Sequence, residues 1–497
     1  MAAEPSVAVA RRSWSWTGRQ EFLGVAVVVA LAVATGLVVG HGLGILLAGL
    51  AGLAAGFAAG LVSWRRSICW LLVYLPFSGV AGVLLYPRTA PAVLVKDFVF
   101  VIPAYVGFLL RRSGDQRALP FGHATTWLLA SFALLVAGQS FNPGLSSGLV
   151  AAIGAKVWLF YIPLSVLAYH MVRDRRELHR LLGLMSLAAV LPALIGVAEA
   201  LLIYTGKGAL VYGAYGEAAA SVTQDFAEFN LAGGGLLRRV PSTFAFVAQY
   251  FAFTAAMVAV TYAWWRGAPE RKGSGLRCAV WLLLLLAGFL SGARAAFLFL
   301  PFLMVIILVL EGRTARFAVA RLVAPALLFV GVAVAVVGTT AGGILGHVVE
   351  VGVEEFDSVF VNGLRQGLAT TTVGLGTGVD TNAARHAFGQ ADRFVGVGGT
   401  WYESWYVKAL LELGAAGLAL LLALLGVLVA TAVRNHRRLR DPALKVTSAS
   451  LIGLLLWNLV FNTKAQYLDI DPMNVYFWLF LGLLLKLPEL DAPGDAS

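Results

Sequence analysis

The arginines placed beside apolar runs are the residues of this chain whose type and spacing could do chemistry. Arg294 stands in Ser291-Gly292-Ala293-Arg294, the whole connection between two apolar runs, and Arg238 and Arg239 close a polar stretch where another run begins. A guanidinium so near hydrocarbon is costly unless paired or solvated, and its planar fork suits two-point binding of phosphate oxygens. Snorkelling to lipid headgroups is the alternative. Adjacent arginines do not readily face one ligand, so Arg239 takes precedence over Arg238. Acid–base chemistry at a hydroxyl needs a carboxylate or an imidazole beside such an anion site. Glu403 lies in the aromatic stretch Thr400-Trp401-Tyr402-Glu403-Ser404-Trp405-Tyr406, where desolvation would raise a carboxyl pKa; it could equally serve as the acidic residue that favours a helix N-terminus. Glu199, inside an apolar run, is either a functional group or a partner for Lys or Arg in assembly. His386, in Ala384-Arg385-His386-Ala387, is a second candidate base, against the ordinary reading of a solvated loop histidine.

Metal chemistry finds little support, since His41, His347 and His386 are scattered without an i, i+4 pair or a cysteine partner, and the metal expectation is none. Asp469-Ile470-Asp471 leaves one alternative open, a divalent-ion pair beside a phosphate, against a polar turn leading into Pro472. Cys69 and Cys278 each open an apolar run, which makes a disulfide improbable and gives neither a role.

These residues need a membrane scaffold. With 59% hydrophobic and 13% charged residues and a mean hydropathy of +0.82, the chain has too little polar surface to cover a water-soluble globule. Many of its 55 glycines fall inside apolar runs, where small residues let helices approach. Reading runs of roughly 15 to 25 residues as spans predicts an all-α polytopic membrane protein of about fourteen transmembrane helices, twelve at the least. The runs lie near 21–40, 43–63, 68–86, 95–110, 124–140, 155–172, 181–204, 243–265, 278–291, 295–310, 318–338, 404–432, 446–462 and 474–487. If the tail 1–20, with Arg11, Arg12 and Arg19, is cytoplasmic, every second connection is rich in Lys and Arg down to Lys486, and these connections hold about two thirds of the 37 basic residues. Both ends, 1–20 and 488–497, are then cytoplasmic. The net charge of +11 is a topology signal, not a nucleic-acid footprint.

The organisation that follows is an N-terminal block of spans (21–204), an outer loop (205–242), core spans (243–338), a larger outer loop (339–403) and C-terminal spans (404–487). Long ordered loops usually carry function. The larger one holds an amphipathic stretch, with Val348, Val349, Val353, Phe356 and Phe360 against Glu350, Glu354, Glu355 and Asp357, that reads as a helix over the membrane mouth or as a lid that only packs. A transporter of lipid-linked glycans is the rival class, but it would need polar groups and broken helices at mid-membrane, whereas Lys96, Asp97, Lys156, Glu199 and the arginines cluster at outer span ends.

Arg239-Val-Pro-Ser-Thr-Phe, Leu290-Ser-Gly-Ala-Arg294, Gly374-Leu-Gly-Thr-Gly378 and Glu403-Ser-Trp-Tyr-Val-Lys-Ala-Leu-Leu-Glu-Leu-Gly414-Ala-Ala-Gly417 occur in that order. Together they resemble the core of the O-antigen polymerase and O-antigen ligase superfamily, over roughly residues 235 to 420. The many-span frame with two large periplasmic loops is similar too, as in glycosyltransferases of the C type. The resemblance implies a bacterial inner-membrane enzyme that moves a glycan from an undecaprenyl-pyrophosphate carrier to a lipid-linked acceptor on the periplasmic face, without cofactor or metal. Donor and acceptor glycolipids and membrane lipids would be its partners, with a flippase and a chain-length regulator beside them. Ligases of the family begin the last motif with a histidine that acts as base; Glu403 stands there instead, which favours the polymerase branch over the ligase and leaves the base role between Glu403 and His386. Polymerases carry loop motifs with a glycine eleven residues after an arginine, and Arg365 to Gly376 and Arg385 to Gly396 fit. Arg239 and Arg294 would grip the pyrophosphate, since charge neutralisation is what this leaving group needs, and Arg365 or Arg385 would close from the loop. Arg238 and Lys408 complete the substrate-binding set, and Trp401, Tyr402 and Trp405 would be sugar platforms.

Overall fold

A computed structural model describes residues 54–84, 94–111, 119–145, 147–216, 236–268, 272–312, 356–381 and 403–492, with the short strand 228–230 and a few single positions between these stretches. Helix dominates. Seven described helices are long and apolar enough to cross a membrane: Trp64–Leu84, Gly148–Met171, Arg175–Tyr204, Val247–Arg266, Trp405–Arg438, Pro442–Phe461 and Met473–Asp491. Ser274–Leu290 and Ala296–Leu310 are shorter apolar helices. The predicted run at 21–40 lies outside the described residues, as do 43–53 of the run at 43–63 and all but Gly331 of the run at 318–338.

The chain divides into two units, residues 1–68 with 95–111, and 69–94 with 112–497. In the first, Trp64 meets Phe108 edge-on at 5.1 Å, and the Ser67 hydroxyl donates to the Phe100 carbonyl at 2.9 Å. A buried ion pair at 3.3 Å joins Lys96 to its neighbour Asp97.

In the second unit the elements that position the candidate site are α1 (His123–Gln139), α2 (Gly148–Leu159), α3 (Arg175–Ala188), α4 (Val190–Tyr204), α5 (Gly208–Tyr215), the two-stranded ribbon of β1 (Glu228–Asn230) and β2 (Leu236–Arg238), α6 (Val247–Arg266), α7 (Ser274–Leu290), α8 (Ala296–Leu310), α9 (Asn362–Thr370), α10 (Trp405–Arg438), α11 (Pro442–Phe461) and α12 (Met473–Asp491). The central post is α6, of whose span window 89% is buried, against 33% for α10 at the rim. Side-chain caps start the helices where sequence allows. Asp174 accepts from the Glu177 N–H at 2.8 Å before α3, and Asp441 accepts from Ala443 and Leu444 before α11, where Pro442 fills a position that needs no N–H. At this basic end Arg175 pairs with both Asp441 and Asp491, which ties α3 to α11 and α12.

The span predicted at 404–432 is corrected in one respect: α10 runs to Arg438 and is two helices, broken at Gly414 (φ +75°, ψ −179°). Hydrogen bonds to a crossing segment satisfy the backbone groups freed by the break, with Ala415 N–H to Thr372 O at 2.9 Å, Leu375 N–H to Leu411 O at 2.8 Å and Gly376 N–H to Glu412 O at 3.1 Å. A β-carbon at position 414 would sit 2.3 Å from the Val373 carbonyl oxygen, in a backbone region that L-residues avoid. Gly414→Ala is therefore expected to destabilise the protein by more than the ~1–3 kcal/mol of the backbone strain alone. Thermal unfolding in detergent measures this, and an unchanged midpoint would refute the account of the break.

Candidate active site

After β2 the chain runs Arg239-Val240-Pro241-Ser242 across the turn between α7 and α8. The Val240 N–H donates to the Ser291 carbonyl at 3.1 Å. Gly292 (φ +73°) lies under the crossing, where a β-carbon would meet the Arg238 carbonyl oxygen at 2.0 Å. The turn bearing Arg294 and the segment bearing Arg239 are thus one backbone crossing that only glycine permits. Arg238, Arg239 and Arg294 are all half-buried. The adjacent pair divides: Arg238 donates its backbone N–H to the Tyr204 hydroxyl at 3.2 Å and its charge acts on that ring, whereas the charge of Arg239 acts on Tyr467.

Tyr467 is the residue that the sequence reading missed. It opens the short turn Tyr467–Asp469 after α11, is 7% exposed, and stacks on Phe461 at 4.8 Å. Phe461 in turn meets Phe299 of α8 edge-on at 4.6 Å, so the ring stack leads back to the helix that Arg294 precedes. Across from it the Trp405 N–H donates to the carbonyls of Asn462 and Ala465, both at 3.1 Å, which holds exposed Glu403 over the same turn. Burial pushes the Tyr467 hydroxyl pKa up, Arg239 pulls it down and Glu403 raises it again, so both charges reach one hydroxyl. The net direction is upward, which keeps the hydroxyl protonated and a hydrogen-bond donor at neutral pH. No motif pointed to Tyr467; the only signal was its place in the outer turn between two apolar runs.

Two other motif residues do different work from that expected. Lys408 is fully buried and forms an ion pair with Asp469, its ammonium also lying 4.7 Å over the Trp158 ring. The Trp405 indole N–H donates to the second Asp469 oxygen at 2.9 Å. The Asp469 carboxylate is thereby engaged on both oxygens inside the protein, and Trp405 is 6% exposed. Lys408 and Trp405 therefore position the turn that bears Tyr467 rather than presenting open faces, and Asp469 answers the Asp-x-Asp alternative as a polar turn. One turn further along α10, buried Glu412 accepts from the Trp158 indole at 2.7 Å, the Asp380 N–H at 2.9 Å and the Thr381 hydroxyl at 2.9 Å. That fastens the loop segment 371–381 beside the helix break. The N–H groups of Leu375, Gly376 and Thr377 in Gly374-Leu-Gly-Thr-Gly378 are spent on the carbonyls of α10 and α1.

Among the described residues Glu199 pairs with neither Lys nor Arg. Its carboxylate accepts from the Tyr215 hydroxyl at 2.6 Å and the Ser242 N–H at 2.8 Å. Ser242 has φ +52°, which for a non-glycine residue costs about 1–3 kcal/mol. Arg365 stands on the exposed face of α9, bonded to Asn362 at 3.1 Å. Of the amphipathic stretch, Phe356–Val361 leads into α9, and Phe360 packs on Tyr406 at 6.0 Å. His386, Arg385, Trp401 and Tyr402 lie outside the described residues. Among the described residues no three His, Cys, Asp or Glu side chains gather as a metal-binding set, and both cysteines are free thiols. No family model matches the chain, and no curated protein is significantly similar to it. The resemblance to the O-antigen polymerase and ligase superfamily therefore rests on the quoted motifs.

Proposed function

We propose that this chain is an inner-membrane glycosyltransferase that polymerises undecaprenyl-pyrophosphate-linked repeat units into a surface polysaccharide on the periplasmic face. The observation that supports this best is the meeting of Arg239, the Arg294 turn, Tyr467 and Glu403 at the end of the bundle away from Arg175 and Arg438. The acceptor hydroxyl oxygen attacks the anomeric carbon of the donor glycan while its proton passes to Glu403, with His386 the alternative base. The bond from that carbon to the pyrophosphate oxygen breaks, and undecaprenyl pyrophosphate leaves. Arg239 and Arg294 take up the charge that collects on it, so neither metal nor general acid is required. Protonated Tyr467 donates to the same anion, and Arg365 or Arg385 closes from the larger loop. With Trp405 committed to Asp469, the sugar platform falls to Trp401 and Tyr402.

The topology in this reading has about fourteen spans and two cytoplasmic ends. From Arg434, where the basic end of α10 begins, back to Gly414 is about 20 residues, or roughly 30 Å of helix. The break thus falls at the outer edge of the hydrocarbon. A broken helix is the one feature that favours the transporter reading, and a break at mid-depth would serve transport; at the outer edge it serves a one-sided site.

The test is to give purified protein in liposomes only undecaprenyl-pyrophosphate-linked repeat units and resolve the products on a gel, with Glu403→Gln beside the wild type. A ladder of longer chains is expected from the wild type, lowered about 10²–10⁴-fold in the variant, the range for loss of a positioned base. No elongation until a lipid A core is added would replace the polymerase by a ligase, and no transfer to any acceptor would replace the enzyme by a transporter.

A further inference from the structure

Two side chains outside the reacting set, Glu199 and Tyr215, converge on the backbone of Ser242, three residues after Arg239. Glu199 Oε2 accepts from the Ser242 N–H at 2.8 Å, and Oε1 accepts from the Tyr215 hydroxyl at 2.6 Å. The Tyr215 hydroxyl also lies 2.6 Å from the Ser242 carbonyl oxygen. The Ser242 hydroxyl donates to the Pro192 carbonyl at 2.7 Å, about two turns before the carboxylate on the same helix, α4. The backbone N–H and side chain of a single residue are both held, its carbonyl faces the same tyrosine hydroxyl as an alternative acceptor, and that residue is the one described non-glycine residue with a positive φ. On its far side the Val240 N–H is fixed to Ser291, and the Thr243 hydroxyl donates to the Pro76 carbonyl. Between these anchors Pro241 locks its own φ. An ordinary turn settles its own geometry. Here the chain is bent where serine would not place it, and a buried carboxylate 8% exposed maintains the bend.

We infer that Glu199, with Tyr215, is a positioning residue that holds the Arg239–Ser242 segment in its strained course, so that the Arg239 guanidinium is aimed at the pyrophosphate. This rests on the reading of Arg239 as a pyrophosphate ligand. Glu199 touches no reacting atom. What it supplies is an acceptor for the Ser242 N–H and a second polar atom against the Tyr215 hydroxyl, both of which an amide of the same shape provides. A glutamine oxygen accepts the Ser242 N–H, and its NH₂ donates to the Tyr215 oxygen, which keeps its own proton for the Ser242 carbonyl. Alanine cannot do this.

The experiment measures binding of undecaprenyl pyrophosphate to the full-length protein in detergent micelles, for Glu199→Ala, Glu199→Gln and Tyr215→Phe, each in the wild-type and the Arg239→Ala background. Expected are about tenfold weaker binding for Arg239→Ala and for Glu199→Ala, no further loss when the two are combined, about threefold weaker binding for Tyr215→Phe, and Glu199→Gln within about twofold of wild type. Losses that multiply in the combined variant, or a glutamine variant as weak as alanine, overturn the positioning role while leaving Arg239 as a ligand. Unchanged binding in Arg239→Ala overturns that ligand role and the inference with it. If Glu199→Ala does not fold, Tyr215→Phe decides: a loss confined to the wild-type background supports the inference, and an equal loss in both backgrounds refutes it.

Discussion

Replacing Arg294 by alanine is expected to lower chain elongation about 10²–10³-fold, the range for removing one preorganised donor from a site where charge develops. Arg294 follows the turn that Gly292 and the Arg238 carbonyl press together, so its Cα is fixed relative to Arg239 before any ligand arrives. Preorganisation of this kind makes a donor worth more in the transition state than in the ground state, because nothing need reorganise when the charge appears. The loss should therefore fall mainly on kcat. Arg294→Lys keeps the charge but not the planar fork, and should recover only part of the rate. Single-turnover elongation with both variants measures this. Full activity in Arg294→Ala would mean that the arginine answers to lipid headgroups and would remove it from the site.

Lys408→Met is expected to be the most damaging single change to stability. It would leave the Asp469 carboxylate, 2% exposed, buried without its cation, with Glu412 also buried nearby on the same helix. Removing one partner of a buried pair costs about 3–5 kcal/mol, because the remaining charge stays uncompensated. The double variant Lys408→Met, Asp469→Asn removes both charges and leaves the Trp405 indole an amide oxygen to bond, so much of the loss should return. Thermal unfolding in detergent tests both. A double variant no more stable than Lys408→Met would show that the pair is not the source of the cost. An elongation assay on the double variant adds a second check, since a positioning lysine leaves substrate affinity nearly unchanged.

How far the sequence could be read divides along a physical line. Apolar runs of span length mark helices by a local property, and α4, α6, α11 and α12 lie where those runs predicted. The break at Gly414 was not legible, since one glycine in an apolar run reads as packing; its cause is the backbone of residues 372–376, far away in sequence. The arginines were legible as a type, because a cation at a span end has to be explained. Their company was not. Tyr467 comes within reach of the Arg239 charge only because α11 returns to the same end, and nothing local marks it. Lys408 entered the substrate-binding set with the motif it belongs to, whereas Asp469, provided by the next hairpin, turns it inward. Glu199 was similarly ambiguous between function and pairing, and its partners are a tyrosine and a backbone N–H, which charge counting cannot find.

The two halves of α10 would meet the membrane on different terms as the chain is made. From Ala415 to Val433 there is no charged residue, a length that partitions into a bilayer by itself, whereas Trp405–Leu413 carries Lys408 and Glu412. Those charges lie beyond the break, outside the hydrocarbon in the proposed topology, and are buried against partners within the protein. Their partners lie elsewhere, Asp469 later in the chain and Asp380 and Thr381 before the helix. In that topology the segment after Gly414 is long and apolar enough to enter the bilayer by itself, whereas the segment before it finds its buried ion pair only once Asp469 has been made. A chain stopped between Val433 and Asp469 would sit in the membrane with its candidate site still unassembled.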